Sequence, residues 1–418
     1  MEYKVGISVS SKSKSSAGAP ANTHSDRSTP PQVSLQKILL EYFLVGLTAF
    51  SMAILQKLKS LVMKNRWMSE EEMNEGLALV QLYPGPIMVD FTAYVGYKLR
   101  GVPGAVMATS GFILPSFFMM LALSSLYFAA ANLSWIHVLF AGLEALVIGV
   151  IFNVTIDLGA RALKGKVEAV IALIAFAALL MKLNAIWIVL SALIFGGLFI
   201  RPAGKKPILP CAESSTPLTR WLGIAVVSGV IIGGALFAFF LKSDVGSLGL
   251  SLFKIGSVAF GNGTTIIPLI QSDVVDGHHW LTMSQFVDGI ALGQITPGPF
   301  LITAAFIGYK MGGVFGAALA TFAMFSPSFA MTLIFSEIFV RVRNIRAVRG
   351  ALAGVLASFV GMLAFVILQL SEATLKVPAA FVFAALAFVA VRWLDLDILV
   401  VFGVGSALWI VMMAFHFI

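Results

Sequence analysis

Apolar runs of about 20 residues recur along the chain from residue 38 onward, separated by short polar stretches. A helix rising ~1.5 Å per residue needs that length to cross a ~30 Å hydrocarbon core. A transmembrane β-barrel would show segments of ~10 residues with alternating hydrophobicity instead. The pattern predicts an all-α polytopic membrane protein of about thirteen spans. They begin near residues 38, 69, 103, 135, 167, 184, 220, 248, 282, 313, 346, 377 and 396. Two of them, 69–98 and 282–310, contain a Pro-Gly-Pro sequence; each is counted as one broken span, and a re-entrant hairpin is the alternative the sequence leaves open.

The two halves repeat each other. GVPGAVMATSGFILPSF (101–117) aligns without a gap on GVFGAALATFAMFSPSF (313–329). Gly96-Tyr97-Lys98 matches Gly308-Tyr309-Lys310, Gln81 matches Gln294, and Pro84-Gly85-Pro86 matches Pro297-Gly298-Pro299. Trp67 matches Trp280, Ala49-Phe50 matches Ala259-Phe260, and Gly46 matches Gly256. Apolar bias alone does not place so many matches in order, so the chain carries an internal duplication. The expected organisation is a disordered cytoplasmic tail at 1–36, a first repeat at 37–200, a loop and linking span at 201–245, and a second repeat at 246–418. The odd central span makes the second half enter from the opposite side, giving inverted repeats. With the N-terminus inside, Lys98–Arg100, Arg161–Lys166, Arg201–Lys206, Arg341–Arg349 and Arg392 fall on the cytoplasmic side, as the positive-inside rule asks. The stretch Lys57–Arg66 goes against it.

Composition agrees with this class and narrows the chemistry. Of 418 residues, 59% are hydrophobic and 11% charged, against ~25% charged in soluble domains; mean hydropathy is +0.95. The net charge of +8 belongs to the loops, so no nucleic-acid partner is expected. The single cysteine, Cys211, permits neither an internal disulfide nor a thiolate metal cluster. No HExxH or GxxxxGK[ST] pattern occurs. An ATP-driven pump and a hydrolase are therefore not expected, and no catalytic residue or cofactor is assigned. A membrane enzyme acting on a lipid phosphate would need converging acids and metal ligands, which the sequence does not supply. His278-His279 with Asp273 and Asp276 reads as a metal site or as a polar turn; no metal is assigned.

Proline removes a backbone donor and stops a helix, and in hydrocarbon each unsatisfied backbone group costs several kcal/mol. A doubled break at that depth belongs where protein or a polar cavity satisfies the backbone. The helix after each break starts with Pro86 or Pro299 at a favourable first position. Its free N–H groups and positive dipole end point to the gap, which suits an anion. Lone Pro115 and Pro327 are kinks or breaks. The stretch Ala259–Thr265, AFGNGTT, either approaches the substrate through its glycines or packs helices; its first-half counterpart, AFSMAIL, lacks those glycines. The candidate substrate set is Gln81, Pro84, Gly85, Pro86, Phe260, Gly261, Asn262, Gly263, Thr264, Gln294, Thr296, Pro297, Gly298 and Pro299. Glu75 and Asp288 are repeat equivalents that either serve ion coupling or sit at solvated helix ends. Lys98 and Lys310 either face the anion or snorkel to the interface. Asp90, Glu41 and Glu144 are weaker candidates.

Two copies of Trp…Gln-x-x-Pro-Gly-Pro…Gly-Tyr-Lys…Gly-Ala…Pro-Ser-Phe, with Phe260-Gly261-x-Gly263 near the start of the second, resemble the chromate ion transporter family in its long, two-repeat form. The resemblance covers nearly all the chain after residue 38. It implies a multi-pass inner-membrane secondary carrier of chromate that confers resistance by export, with sulfate as a related anion. It also implies family roles for Phe260, Gly261, Gly263, Gln81, Gln294 and both Pro-Gly-Pro sequences. Ser51-Met52 stand where the family's first half usually has glycines, which leaves room for another oxyanion. The expected partners are a chromate- or sulfate-like oxyanion and the lipid bilayer; a homodimer is allowed. An interior-negative potential of about 100 mV drives a dianion outward by about 4.6 kcal/mol, roughly a 2000-fold gradient. Proton-coupled uptake of sulfate or a similar anion is the alternative, with Glu75 or Asp288 as coupling groups.

Overall fold

The computed structural model describes residues 33–50, 53–130, 134–200, 218–261, 263–342 and 346–415. Most of the expected tail, the segment with Cys211, Ser51, Met52 and Asn262 lie outside the described residues. The described residues are almost wholly helical. The first half carries α1 (Leu35–Thr48), α2 (Ala53–Lys64), α3 (Glu70–Val80), α4 (Ile87–Ala129), α5 (Ser134–Ala162), α6 (Lys166–Leu180) and α7 (Ala185–Phe199). A linking helix α8 (Leu218–Phe240) follows. The second half carries α9 (Asp244–Val258), α10 (Ile267–Gln271), α11 (Met283–Ile295), α12 (Thr303–Val342), α13 (Arg346–Thr374), α14 (Pro378–Arg392) and α15 (Ile398–Ala414).

Local chemistry starts the helices alike in both halves. Ser69 caps α3 and Glu72 answers it; Thr282 caps α11 and Gln285 answers it. Each is a capping box that satisfies two orphan N–H groups at once. These are repeat-equivalent positions, so the duplication extends to how the two helices begin.

The broken spans expected over 69–98 and 282–310 are helical hairpins. A Cβ on Gly76 would strike the Tyr94 ring, and one on Gly289 would strike the Phe306 ring. Residues on opposite sides of a Pro-Gly-Pro therefore lie side by side. In a single broken span they would be separated along its axis by most of a helix arm. A second reversal follows. Gly96 touches the Gly104 carbonyl and Ala108, and Gly308 touches the Gly316 carbonyl and Ala320, contacts that one straight helix cannot make. The reversals sit at Arg100-Gly101 and Gly312-Gly313, where α4 and α12 leave helical geometry. Composition could not separate the two topologies, because a stretch of about 30 residues is long enough for one tilted span or for two short arms.

The thirteen-span count is likewise not reached among the described residues. Five helices are long and apolar enough to cross a membrane: Ile87–Ala129, Val138–Ala162, Arg220–Phe240, Phe300–Ile338 and Ala347–Thr374. The shorter apolar helices are Ala185–Phe199, Pro378–Arg392 and Ile398–Ala414. Helices α1 and α9, with 14 and 15 residues, reach only about 21–23 Å. The stretch Lys57–Arg66 proves to be mostly helix: α2 buries Ile54, Leu58, Leu61 and Val62, leaves Lys57 and Lys64 exposed and half-buries Lys59. That amphipathic face explains a basic segment whose placement opposed the charge rule.

Small residues set the closest helix contacts, as in membrane bundles generally. Gly46 of α1 rests on the Phe112 carbonyl of α4, and Gly256 of α9 on the Met324 carbonyl of α12. Gly196 of α7 lies against Gly350 and Gly354 of α13. Leu173, Trp187, Leu198 and Phe240 on the periphery are exposed, as a lipid-facing surface requires. The protein is thus an all-α, multi-pass membrane protein.

The reversals yield a first prediction. Gly101 has φ 63°, ψ −150°, and Gly313 has φ 58°, ψ −142°, a region essentially reserved for glycine. Neither has another atom within 4 Å of a built Cβ, so crowding plays no part. Gly101→Ala and Gly313→Ala are each expected to cost about 1–3 kcal/mol, read as a lower Tm of purified protein in detergent. Gly229→Ala, at an equally open helical position, is expected to leave Tm unchanged.

Candidate functional site

The two Pro-Gly-Pro turns meet the opposite repeat. Gly85-Pro86 forms a short strand, β1, paired in parallel with Phe260-Gly261, β2. In the other direction, Gly298 N–H donates to the Ala49 carbonyl at 2.8 Å. Ala49 is the repeat equivalent of Ala259, which stands just before β2. Each turn therefore binds, by backbone, to the segment that follows the first helix of the other half. This satisfies part of the backbone that the prolines leave unpaired, as an apolar medium demands.

The helices behind the turns repeat the exchange. Gly85 packs on Ser328 and the Asp90 carboxyl; Gly298 packs on Ser116 and the Gly46 carbonyl. Ser116 and Ser328 are the matched serines of the two Pro-Ser-Phe sequences. The sequence marked that motif as duplicated, but nothing in it singled out serine as the residue facing a turn. Gly298 has φ +94°, so it is glycine for conformation as well as for space. Gly85 is not among the glycines of positive φ.

Between the turns runs the stretch after α9. Gly261 and Gly263 have φ +93° and +88°. A Cβ on Gly263 would stand 3.4 Å from Phe300, so this stretch pairs with one turn and leans on the residue just past the other. Thr265 Oγ1 donates to the Phe260 carbonyl, and half-buried Thr264 opens the 3-10 turn Thr264–Ile266. Thr296 Oγ1 donates to the Leu292 carbonyl at 2.7 Å. Asn262 lies outside the described residues.

The repeats are not chemically equal here. Buried Gln294 has an Nε2 without a hydrogen-bond partner, and buried Ser116 has an Oγ without one. Both lie at the second turn, and both can donate. At the first turn Gln81 is exposed and ends α3, while fully buried Asp90 has two unpartnered oxygens. Ser328 and Thr332 flank that carboxyl, but their hydrogens go to the Phe325 carbonyl at 3.2 Å and the Ser328 carbonyl at 2.9 Å. The helix start expected to attract an anion carries its own acid in its first turn. Pro86 is the cap of α4 rather than its first helical residue, and Pro299 caps the 3-10 turn Phe300–Ile302 ahead of α12. Among the described residues, then, the second turn offers unpaired donors and the first unpaired acceptors. Gly85, Pro86, Pro297, Gly298 and Pro299 are buried and Pro84 is half-buried, so this conformation is closed over both turns.

The other candidates sit away from the turns. Lys98 and Lys310 are exposed, with Nζ 5.6 Å above the Tyr94 ring and 5.3 Å above the Phe128 ring. Each ends a hairpin arm, as a snorkelling anchor does. Half-buried Glu75 lies near Tyr94, and half-buried Glu41 lies on α1. Asp288 is buried beside Tyr127 and Glu144. His278 stacks on Trp280 with ring centroids 4.2 Å apart, and its Nδ1 lies 3.0 Å from the Asp273 carbonyl, contacts of a turn.

The model of the family described as Chromate transporter matches residues 36–197 and 246–411. A chromate transport protein of Pseudomonas aeruginosa is 31% identical over 399 residues, covering 91% of this chain and 94% of its own. One of Cupriavidus metallidurans is 29% identical over 363 residues, covering 84% and 86%. An uncharacterized transporter of Methanocaldococcus jannaschii is 30% identical over 338 residues, covering 80% and 84%. No solved structure matches the chain. Two family matches, one on each side of the linking helix, and similarity running nearly end to end with these relatives place the chain in the chromate transporter family.

Proposed function

We infer that the protein is a secondary transporter that carries chromate, or an oxyanion of the same shape and charge, out of the cell across the plasma membrane. The observation that carries this reading is the second turn. A Gly298 backbone kink there stands with two buried, unpartnered donors, Gln294 Nε2 and Ser116 Oγ, and no acid is in the first turn after it. Donors without a countercharge suit a tetrahedral dianion, which the protein must release as well as bind. Relatives named as chromate transport proteins support chromate as the first substrate to test.

The two halves, 37–200 and 246–418, act as inverted repeats on either side of the linking segment. Their reciprocal turn contacts form the core about which one repeat rocks against the other. The membrane potential favours export of a dianion. Sulfate uptake coupled to protons is the second reading, favoured by the buried carboxyl groups of Asp288 and Glu144. A homodimer remains compatible with both.

The test is radiolabelled chromate accumulation in cells at several sulfate concentrations. Expression is expected to lower accumulation severalfold, and Gln294→Ala to abolish the difference. Accumulation unchanged by expression at every sulfate level counts against export; accumulation raised by expression favours the uptake reading.

A further inference from the structure

The buried acids on α5 and α11 have a hydrogen-bond arrangement with one place left over. Asp288 is 3% exposed and Glu144 is 7% exposed. Tyr127 donates to Asp288 Oδ2 at 2.6 Å. Ser284 donates to Glu144 Oε1 at 2.6 Å, and Thr374 donates to Glu144 Oε2 at 3.0 Å. Three of the four carboxyl oxygens thus receive a hydroxyl hydrogen from three different places in the chain. Among the described residues the fourth, Asp288 Oδ1, has no donor, while its carboxyl faces that of Glu144 at hydrogen-bonding range. Among the described residues neither acid has a cation in ion-pair contact.

Two charged carboxylates facing each other out of water, with no counter-ion, repel strongly. One hydrogen on either acid removes that repulsion and supplies the missing donor for Oδ1. We propose that Asp288 and Glu144 together hold one exchangeable proton, and that its release and capture accompany passage of the oxyanion. This rests on the transporter reading above and assigns its coupling ion.

The placement supports coupling rather than mere structure. Asp288 and Gln294 share α11, the helix that ends at the second turn. Any tilt of α11 that opens the turn also shifts Asp288 against Glu144 on α5. Among the described residues, groups around the pair are few. Tyr127 of α4 touches it; Lys310 of α12 points over Phe128 and is exposed; Glu372 of α13 is exposed; and α15 has no titratable residue. The repeat equivalent Glu75 is only half-buried, so the buried arrangement at Asp288 is not duplicated there.

The test uses purified protein in two ways. Infrared spectroscopy at neutral pH is expected to show the carbonyl stretch of a protonated carboxylic acid, with a component lost in Asp288→Asn and altered in Glu144→Gln, apart from any contribution of the buried Asp90. In proteoliposomes with voltage clamped by potassium and valinomycin, radiolabelled chromate flux is expected to change severalfold when the pH gradient is reversed. Asp288→Asn is expected to abolish that response and to keep chromate–chromate exchange at equal pH within about twofold, since exchange needs no net proton movement; this also shows that the variant folds. Absence of that infrared component in the wild type, robust flux indifferent to the pH gradient, or a gradient response intact in Asp288→Asn overturns the proposal. A wild type that carries no oxyanion under any gradient overturns the transporter reading and the coupling with it; the other failures leave that reading standing.

Discussion

Gly298→Ala is expected to lower chromate flux roughly tenfold or more, by two separable effects. The first is conformational: φ is +94°, and a Cβ in the left-handed region costs about 1–2 kcal/mol. The second is steric: the new methyl meets Ser116 Oγ and comes within 3.4 Å of the Gly46 carbonyl. Ser116→Gly in the same chain removes the hydroxyl but leaves the backbone cost, so the double variant is expected to recover flux only in part. Gly85→Ala provides the contrast. Gly85 is not at positive φ, and its crowding comes from Asp90 and Ser328 side chains, so shortening those neighbours is expected to restore more. Pro327→Ala, at a lone proline inside α12 where the backbone stays helical, is expected to keep more than about half of the wild-type rate, because the substitution restores a helical N–H and breaks no turn. Initial rates in proteoliposomes, normalised to reconstituted protein, read all of these. Equal and mild losses at Gly298 and Pro327 would show that the second turn is only a kink.

The reason to expect so large an effect at one glycine lies in what the turn holds together. Its N–H is bound to Ala49 of the other repeat, and its Cα rests on Ser116 of the same distant half. A displacement there is felt in both repeats at once. It also moves Gln294, whose amide is one of the two unpartnered donors beside the gap.

Much of this arrangement is written in the duplicated residues, though not its geometry. The matched glycines 96 and 308, 101 and 313, and the glycines at 104 and 316 proved to be those that form the second reversal. The matched Pro-Gly-Pro and Pro-Ser-Phe sequences proved to touch each other across repeats. Sequence comparison displays such residues because each does the same task twice. It does not display that Gly85 meets Ser328 while Gly298 meets Ser116, since a cross-repeat contact leaves no trace in spacing. The difference between hairpin and broken span was hidden for the same reason: it rests on Gly76 against Tyr94, a tertiary contact. Helix α2 was more readable than expected, for Ile54, Leu58, Leu61 and Val62 follow a helical period that the interleaved lysines obscured. The pairing of Asp288 with Glu144 was beyond reach, because the two acids come from helices in different halves.

Gly96→Leu and Gly308→Leu are expected to remove most of the folded protein. At both positions a Cβ would strike a backbone carbonyl, Gly104 or Gly316, and the methyl of Ala108 or Ala320. Backbone cannot yield as a flexible side chain does, so the arms must part, and overpacking alone costs about 1–3 kcal/mol before any loss of contact is counted. Parting them also loosens the arm that starts at the Pro-Gly-Pro turn, so any surviving protein should transport poorly. Gly233→Leu on α8 is the control: no atom lies within 4 Å of its built Cβ, and a larger apolar side chain there simply meets lipid. The measurement is the monodisperse fraction after detergent extraction, with Tm of that fraction. An order-of-magnitude loss is expected at 96 and 308 against no loss at 233. If Gly96→Leu were as well folded as Gly233→Leu, the arms would not be packed. The chain would then not reverse at Arg100-Gly101, and the segments on either side of it would run on as one span.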